Sequence, residues 1–239
     1  MLCLVRQKRS HILSAAIIAG QSALLFTSAA VLQIAQQLVI RKNLMIHKNS
    51  TSEKRYRYYL VVDLEATCCD KQSIPRDEME TIEIGAVLAD GNTLAVVDEF
   101  CTFIKPVRHP ILTSFCTDLT TITQSDVDNA PRYPRAIQDF QQWLENYQHF
   151  LFSSWGNYDK TQLQRDSQYH RLPFPISAPH MNIKREFSRK QGLRKACGMS
   201  KALALCGLQL SGTLHRGIDD ARNMVQLLPY IFGDARINI

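Results

Sequence analysis

The sequence predicts an α/β domain built on a mixed five-stranded sheet with helices on both faces. Three apolar β-type runs come first, and two of them flank Asp90-Gly91-Asn92, a pattern typical of a β-hairpin. Helical and strand-like segments alternate after these runs, which is typical of helices packed on a sheet. The chain has 239 residues with 45% apolar content, enough for one well-packed domain and an extension.

The first half of the predicted domain contains the three early strands. We predict the first strand in "RYYLVVDLEA" and the next two in "TIEIGAVLADGNTLAVVDEFCTFIKP". Two short helical turns opened by Thr or Ser caps follow, in "TSFCTDLT" and "TQSDVDNA". The segment "YPRAIQDFQQWLENY" has apolar residues at helical spacing and is predicted to be a longer helix.

The second half alternates between strand and helix. The segment "HFLFSSWGNYD" is predicted to be a buried strand ending at Gly156, with a helix starting near Tyr158 or Asp159. A short strand in "HMNIKREF" runs into a basic helix, and Gly207 ends a helix in "MSKALALCGL". The final helix lies in "GIDDARNMVQLLPYIFG", where Pro229 bends or ends it.

Residues 1–52 form a predicted N-terminal helical extension that is separate from the domain at residues 56–235. Residues 12–40 carry no charge and are long enough to cross a bilayer, but several Ser, Thr and Gln residues interrupt them. The extension is therefore a membrane-associated helix, an organelle-targeting segment or a stretch upstream of a true start at Met45. If it does not direct the chain to a membrane or an organelle, we expect a cytoplasmic protein.

The net charge of +6 does not by itself indicate a nucleic-acid-binding protein. All of the excess lies in residues 1–52, which contain basic residues and no acid, whereas the rest of the chain is balanced. The seven cysteines have irregular spacings without a CxxC pair, which argues against a zinc site and favours a reducing compartment.

Two acids one residue apart end the first predicted strand. Alternation along a strand places Asp63 and Glu65 on one face, about 6.6 Å apart. Two buried carboxylates at this distance repel each other, and no Lys or Arg lies between Tyr58 and Asp70. A hard divalent ion such as Mg²⁺ or Mn²⁺ is the best candidate to hold them, and a strand that reaches the surface at Asp63 is the alternative.

Two further segments supply candidate partners for these acids. Asp159 follows a strand in "SSWGNYDK", where an Asp is most often a helix N-cap. In "HRGIDDARN", Gly217 can let His215 fold back toward the helix that carries Asp220, although a surface histidine before a capped helix is also common.

All four acids fall at strand ends or in the first turns of helices, positions that converge on one crevice in open α/β sheets. Four carboxylates around two divalent ions form a site suited to phosphodiester hydrolysis. The attacking water then needs a base that works near neutral pH, and histidine is the suitable residue type. The pattern therefore predicts Asp63, Glu65, Asp159 and Asp220 as metal ligands, and it makes His215 a candidate for the general base.

The segments "DLEAT", "WGNYDK" and "HRGIDDARN" resemble the three exonuclease motifs of the DEDDh (DnaQ-like) 3′–5′ exonucleases, in the same order and with similar separations. The resemblance implies an RNase H-like fold, two Mg²⁺ or Mn²⁺ ions and the same roles for the five residues. It also implies that Leu64, Ala66 and His215 contact the terminal nucleotide. The segments "METIEIGAV" and "FCTDLTTITQSDV" are most similar to the branch with small-RNA and histone-mRNA-trimming exonucleases and the bacterial KapD-like proteins.

The predicted function is a metal-dependent 3′–5′ exonuclease that acts on single-stranded 3′ ends, RNA more than DNA, and releases nucleoside 5′-monophosphates. A DNA-trimming or proofreading exonuclease and a regulatory protein-binding module of the KapD type are the alternatives. The basic run between Lys184 and Lys195 is a candidate to bind the phosphate backbone, with a solvated helix face as the alternative. Phe115, Trp155 and Tyr158 are candidates to stack on bases or to pack in the core.

Overall fold

The computed structural model describes residues 56–71 and 73–237. The predicted extension at residues 1–52, with its apolar run at 12–40, lies outside the described residues. Within residues 56–71 and 73–237, no helix is both long enough and apolar enough to cross a membrane.

The described residues form a five-stranded mixed sheet in the order β3-β2-β1-β4-β5. β2 pairs antiparallel with both β1 and β3. β4 pairs parallel with both β1 and β5. The predicted fold class, with its three antiparallel strands first, is therefore confirmed. The strands are β1 Tyr58–Ala66, β2 Thr81–Asp90, β3 Val96–Phe103, β4 Phe150–Ser154 and β5 His180–Asn182.

The helices follow the predicted segments closely. Thr113 and Thr123 cap the two short helices with their side chains, as the sequence predicts. The last predicted helix is divided in two, and its second part begins at Pro229. The helices are α1 Ser114–Thr120, α2 Gln124–Asp128, α3 Tyr133–Leu144, α4 Tyr158–Tyr169, α5 Ile183–Lys190, α6 Met199–Leu205, α7 Gly217–Val225 and α8 Pro229–Phe232.

Alternation along β1 divides the core between the two faces of the sheet. Tyr59 and Val61 pack with residues of α5, α6, α7 and α8, whereas Leu60 and Val62 pack with residues of α3 and α4. Helices therefore cover both faces, as predicted. Asp63 falls on the same face as Tyr59 and Val61, toward the layer that contains α7.

β1 extends beyond its parallel partner β4. The two strands pair from Tyr58 to Val61, and the remainder of β1 pairs only with β2. β4 ends at Ser154, and α4 begins four residues later at Tyr158. The free end of β1 thus lies beside the start of α4, and the candidate site forms at this point.

Candidate active site

A cleft of about 400 Å³ opens at the carboxyl end of β1. It is bounded by the end of β1, the first turn of α4, the start of α6 and the turn that leads into α7. The cleft is lined by Asp63, Leu64, Glu65, Trp155, Tyr158, Asp159, Met199, Ser200, Leu214, His215 and Asp220. All five predicted catalytic and metal-binding residues are in this set.

Asp159 joins α4 to β1 through a hydrogen bond. The backbone N–H of Leu64 has no strand partner on the β4 side, because β1 and β4 pair only as far as Val61. Asp159 Oδ1 accepts this N–H at 3.1 Å. Asp159 lies inside α4 rather than at its N-cap, which is Asn157, so the N-cap alternative is wrong.

His215 and Asp220 are joined through the turn before α7. His215 adopts a left-handed conformation with φ of 60°, and its backbone N–H donates to Asp220 Oδ2 at 3.1 Å. The prediction that Gly217 supplies the turn is wrong, because His215 itself takes the left-handed backbone. Gly217 instead permits close packing, since a Cβ there would lie 3.0 Å from the carbonyl oxygen of Asp63.

Glu65, His215 and Asp220 form a group whose potential ligand atoms all lie within 4.8 Å of one another. Glu65 is 8% exposed and Asp220 is 6% exposed, so both carboxylates are largely removed from water. Asp220 Oδ1 is buried and accepts no hydrogen bond from the residues that the structure describes. A buried carboxylate oxygen without a donor fits a site for a cation.

The pKa values of the two acids on β1 are both raised. Burial raises the pKa of Glu65 to about 8, with further contributions from the negative charges of Asp220 and Glu83. Burial also raises the pKa of Asp63 well above its usual range, and Asp159 and Glu65 add to the effect. Each raised pKa means that the ionised form lacks compensating positive charge in the protein alone.

The pKa values of Asp159 on α4 and Asp220 on α7 are raised less than that of Glu65, because backbone N–H groups stabilise the ionised forms of these two acids. Burial raises the pKa of Asp159 to about 6, against the hydrogen bond from the N–H of Leu64. Burial likewise raises the pKa of Asp220 to about 6, against the hydrogen bond from the N–H of His215. Together the four carboxylates form a negative, partly desolvated cleft that divalent cations would neutralise.

The predicted nucleotide contacts occupy different environments. Leu64 lies in the cleft wall, and its N–H is already bonded to Asp159. Ala66 is 5% exposed and is not part of the cleft lining. Trp155 and Tyr158 line the cleft, and Trp155 Nε1 is buried without a hydrogen-bond partner among the described residues.

The basic run lies in α5 and the segment between α5 and α6. Arg185 and Arg189 both pair with Glu186, and this offsets part of their charge. Arg194 and Lys195 are exposed, and they precede Met199 and Ser200, the α6 residues that line the cleft. The segment that carries these two charges therefore leads to the cleft.

Glu83 is not among the residues that the sequence patterns predict for the site. It is 0% exposed near the start of β2 and bonds to Arg216 and Gly217 at the start of α7. The available signal was an acid flanked by Ile82 and Ile84 in a strand that reads as buried, because such an acid needs a specific partner.

A family model described as Exonuclease matches residues 60–228. The chain belongs to the exonuclease family. The match contains all three motifs on which the DEDDh resemblance rests, so that resemblance is confirmed. This exonuclease family is dependent on divalent metals, in agreement with the acidic cleft.

Relatives of this chain are similar along most of its length. Over 183 residues it is 32% identical to "ERI1 exoribonuclease 3" from Homo sapiens, covering 73% of this chain and 53% of the relative. It is 31% identical to "3'-5' exonuclease Snipper" from Drosophila melanogaster, covering 76% of this chain and 73% of that one. The chain thus spans about half the length of the first of these relatives.

Solved structures of exonucleases share the fold. The nuclease domain of 3'hExo, a DEDDh family member bound to rAMP, superposes with a TM-score of 0.65 at 28% identity, covering 79% of this chain and 99% of that one. Exonuclease I of E. coli in complex with a dT13 oligonucleotide superposes with a TM-score of 0.58 at 8% identity, covering 74% and 41%. The second likeness shows the RNase H-like fold alone.

Proposed function

We propose that this chain is a 3′–5′ exonuclease that removes nucleotides from single-stranded 3′ ends, RNA in preference to DNA, as nucleoside 5′-monophosphates. The observation that carries the proposal is the convergence of four carboxylates and His215 on one cleft from three separate segments of the chain. This set of side chains suits hydrolysis of a phosphodiester bond.

Asp63, Glu65, Asp159 and Asp220 are the proposed ligands for two divalent ions, Mg²⁺ or Mn²⁺. Their raised pKa values and the unpartnered Oδ1 of Asp220 support this assignment. When bound, such ions lower the pKa of a water molecule and stabilise negative charge on the leaving oxygen. The protein contributes a fixed arrangement of oxygen ligands on three secondary-structure elements.

His215 is the proposed general base. Its imidazole would accept the proton of the attacking water, a role for which histidine is a suitable residue type. The backbone of His215 is fixed by the hydrogen bond to Asp220, and the side chain lines the cleft. The base and a proposed metal ligand are thus held by the same turn.

The terminal nucleotide would rest against the apolar part of the cleft wall. Leu64 and Trp155 line the cleft there. Leu64 and Ala66, 4% and 5% exposed, are buried and would act through the position of their neighbours. The next phosphates would pass the segment that carries Arg194 and Lys195, where positive charge favours a polyanion.

RNA is the proposed substrate because the relatives named above include "ERI1 exoribonuclease 3". We further propose that residues 56–235 contain the whole exonuclease domain, and the family match at residues 60–228 supports this. The protein would work in a reducing compartment, with the cytoplasm as the first candidate. The six free cysteines among the described residues support this proposal.

The test offers the purified full chain 5′-labelled single-stranded RNA and DNA of matched sequence, with Mg²⁺ or Mn²⁺ and separately with EDTA. We expect a ladder of products shortened from the 3′ end, nucleoside 5′-monophosphates, and faster cleavage of RNA. Faster cleavage of DNA than of RNA would mean that DNA is the preferred substrate. Absence of cleavage of both would contradict the proposed function.

A further inference from the structure

Glu83 is a buried acid that the proposed chemistry does not use. It lies on β2 with a side chain that is 0% exposed, outside the cleft lining. Its carboxylate accepts hydrogen bonds from the backbone N–H of Gly217 at 3.0 Å and from Arg216 Nε at 3.1 Å. Arg216 Nη2 lies 3.3 Å away, and the thiol of Cys101 donates at 3.4 Å. Glu83 is therefore bonded to both residues that follow His215.

The start of α7 depends on Glu83 because the helix supplies no cap of its own. The N-cap residue is Arg216, whose side chain makes no capping hydrogen bond. Free N–H groups in the first turn of a helix need an acceptor, and a carboxylate is favourable there. Glu83 provides that acceptor from a neighbouring strand, which fixes where α7 begins relative to the sheet.

The backbone conformation of the turn before α7 is unfavourable unless neighbouring contacts hold it in place. His215 has a φ of 60°, a conformation that non-glycine residues adopt rarely and only when the surroundings hold them there. The bond from the His215 N–H to Asp220 holds one side of the turn, and the contacts of Glu83 with Arg216 and Gly217 hold the other.

Close packing leaves α7 no alternative position at this point. A Cβ built on Gly85 would lie 2.0 Å from the carbonyl carbon of Gly217, and one built on Gly217 would lie 3.1 Å from the N of Gly85. The helix start thus touches the backbone of β2 directly. A small shift of Gly217 would move both His215 before it and Asp220 one turn after it.

Arg216 also neutralises one of two carboxylates that lie opposite each other in the sheet. Glu65 and Glu83 are directly opposite in the register of β1 and β2, where like charges destabilise a sheet. The guanidinium of Arg216 bonds to Glu83 and lies over the ring of Phe103, 5.1 Å from its centre. Positive charge is thereby placed beside Glu83 and away from the cleft.

We infer that Glu83, held by Arg216, is a positioning residue that sets the turn of His215 and the start of α7, so that the imidazole and the Asp220 carboxylate face the same cleft. The inference rests on the proposed function, and Glu83 touches no reacting atom in it. Loss of Glu83 should therefore slow turnover and weaken cation binding, with little change in the affinity for nucleic acid.

The test compares Glu83→Ala, the isosteric Glu83→Gln and Arg216→Gln with matched control variants Glu99→Gln and Arg222→Gln. The Glu99–Arg222 ion pair also joins the sheet to α7, but its side chains are 32% and 45% exposed, away from the cleft lining. We would measure kcat and KM on single-stranded RNA, the affinity for Mn²⁺ alone, and the melting temperature of each protein.

Glu83→Ala is expected to lower kcat and the affinity for Mn²⁺ by roughly 10–100-fold, with KM within about threefold of the wild type. Glu83→Gln should recover part of the loss, because its amide oxygen still accepts the N–H of Gly217. The Arg216→Gln variant should also lose turnover, since Glu83 then lacks its counter-charge. Both control variants should keep kcat within about twofold of the wild type.

Wild-type kcat and Mn²⁺ affinity in Glu83→Gln and Arg216→Gln would overturn the inference, even if Glu83→Ala fails to fold. So would equal losses in the two control variants, because any ion pair between the sheet and α7 would then have the same effect. A wild-type chain that degrades neither RNA nor DNA contradicts the proposed function instead. The Mn²⁺ affinities of the variants would then decide the inference alone.

Discussion

Asp219 and Asp220 are adjacent in the sequence, but their carboxylates lie in different environments. Asp220 is 6% exposed in the cleft and accepts the N–H of His215. Asp219 accepts the N–H of Thr213 at 2.9 Å and bonds to Arg222 at 3.0 Å, outside the cleft lining. The two acids therefore form a natural pair for comparison.

Asp220→Asn is expected to lower kcat by at least about 10²-fold and to weaken binding of Mn²⁺, because it removes a charge that holds the cation. Asp219→Asn changes the same functional group one residue earlier and should keep turnover near the wild-type value. Initial rates on labelled RNA and calorimetric titration with Mn²⁺ check both variants. Equal losses in the two variants would remove Asp220 from the proposed ligand set.

His215→Ala is expected to lower kcat by about 10²–10⁴-fold while retaining Mn²⁺ and RNA binding, because it removes proton transfer alone. Its rate should also lose the dependence on pH near neutrality that a histidine base gives the wild type. Single-turnover rates from pH 5.5 to 9 provide the measurement. His109→Ala, at a histidine that pairs with Glu78 outside the cleft, is the control. A wild-type pH profile in the His215 variant would exclude His215 as the base.

The metal-free protein is expected to lose stability as the pH rises from about 4 to about 8. The folded-state pKa of Glu65 is about 8 and that of Asp220 is about 6, whereas unfolded carboxyls titrate near pH 4. The folded state thus binds protons more tightly, and the associated stability is present at low pH and lost as these groups ionise. Mg²⁺ or Mn²⁺ should restore the melting temperature at pH 8 more than at pH 5.

Melting temperatures in EDTA from pH 5 to 8 measure this effect, and Glu65→Gln is the control because it lacks a carboxyl group whose pKa is raised to about 8. The wild type should show a steeper fall than this variant. Parallel curves for the two proteins, or a melting temperature in EDTA that rises with pH, would show that the pKa values of these carboxyl groups are not raised in the folded cleft.

Reversing Arg194 and Lys195 to Glu is expected to weaken RNA binding and to flatten its dependence on salt, since fewer counterions are released on binding. The matched control replaces Arg132 and Arg135 with Glu. These two residues lie at the start of α3, which packs on the face of the sheet opposite to α5 and α6. Binding to single-stranded RNA across a salt series measures both double variants. Identical slopes would indicate that the segment after α5 is a solvated surface.

The strands and most helices are predictable from the sequence because their signals are local. The apolar run of β1, the Asp-Gly pair after β2 and the threonine caps of α1 and α2 depend on neighbours a few residues away. The sequence also predicts the acids that line the cleft, because two acids on β1 together with acids at the starts of α4 and α7 form a combination that is unlikely by chance.

The contacts that hold the site together could not be predicted. Asp159 bonds to Leu64 because β4 is shorter than β1, a consequence of strand register that no local pattern specifies. The left-handed backbone falls on His215 rather than on Gly217, because Gly217 is needed where α7 meets Gly85. Glu83 and Arg216 likewise meet only after β2 and α7 are packed together.

The distribution of the cleft over β1, α4 and α7 has a consequence for the synthesis of the protein. On a ribosome, β1 emerges early, but the cleft has no His215 and no Asp220 until the region of α7 has left the exit tunnel. At typical elongation rates this delay is on the order of ten seconds. If the proposed function holds, the growing chain therefore has no complete nuclease site during that interval, while the ribosome holds it close to ribosomal RNA and to its own message.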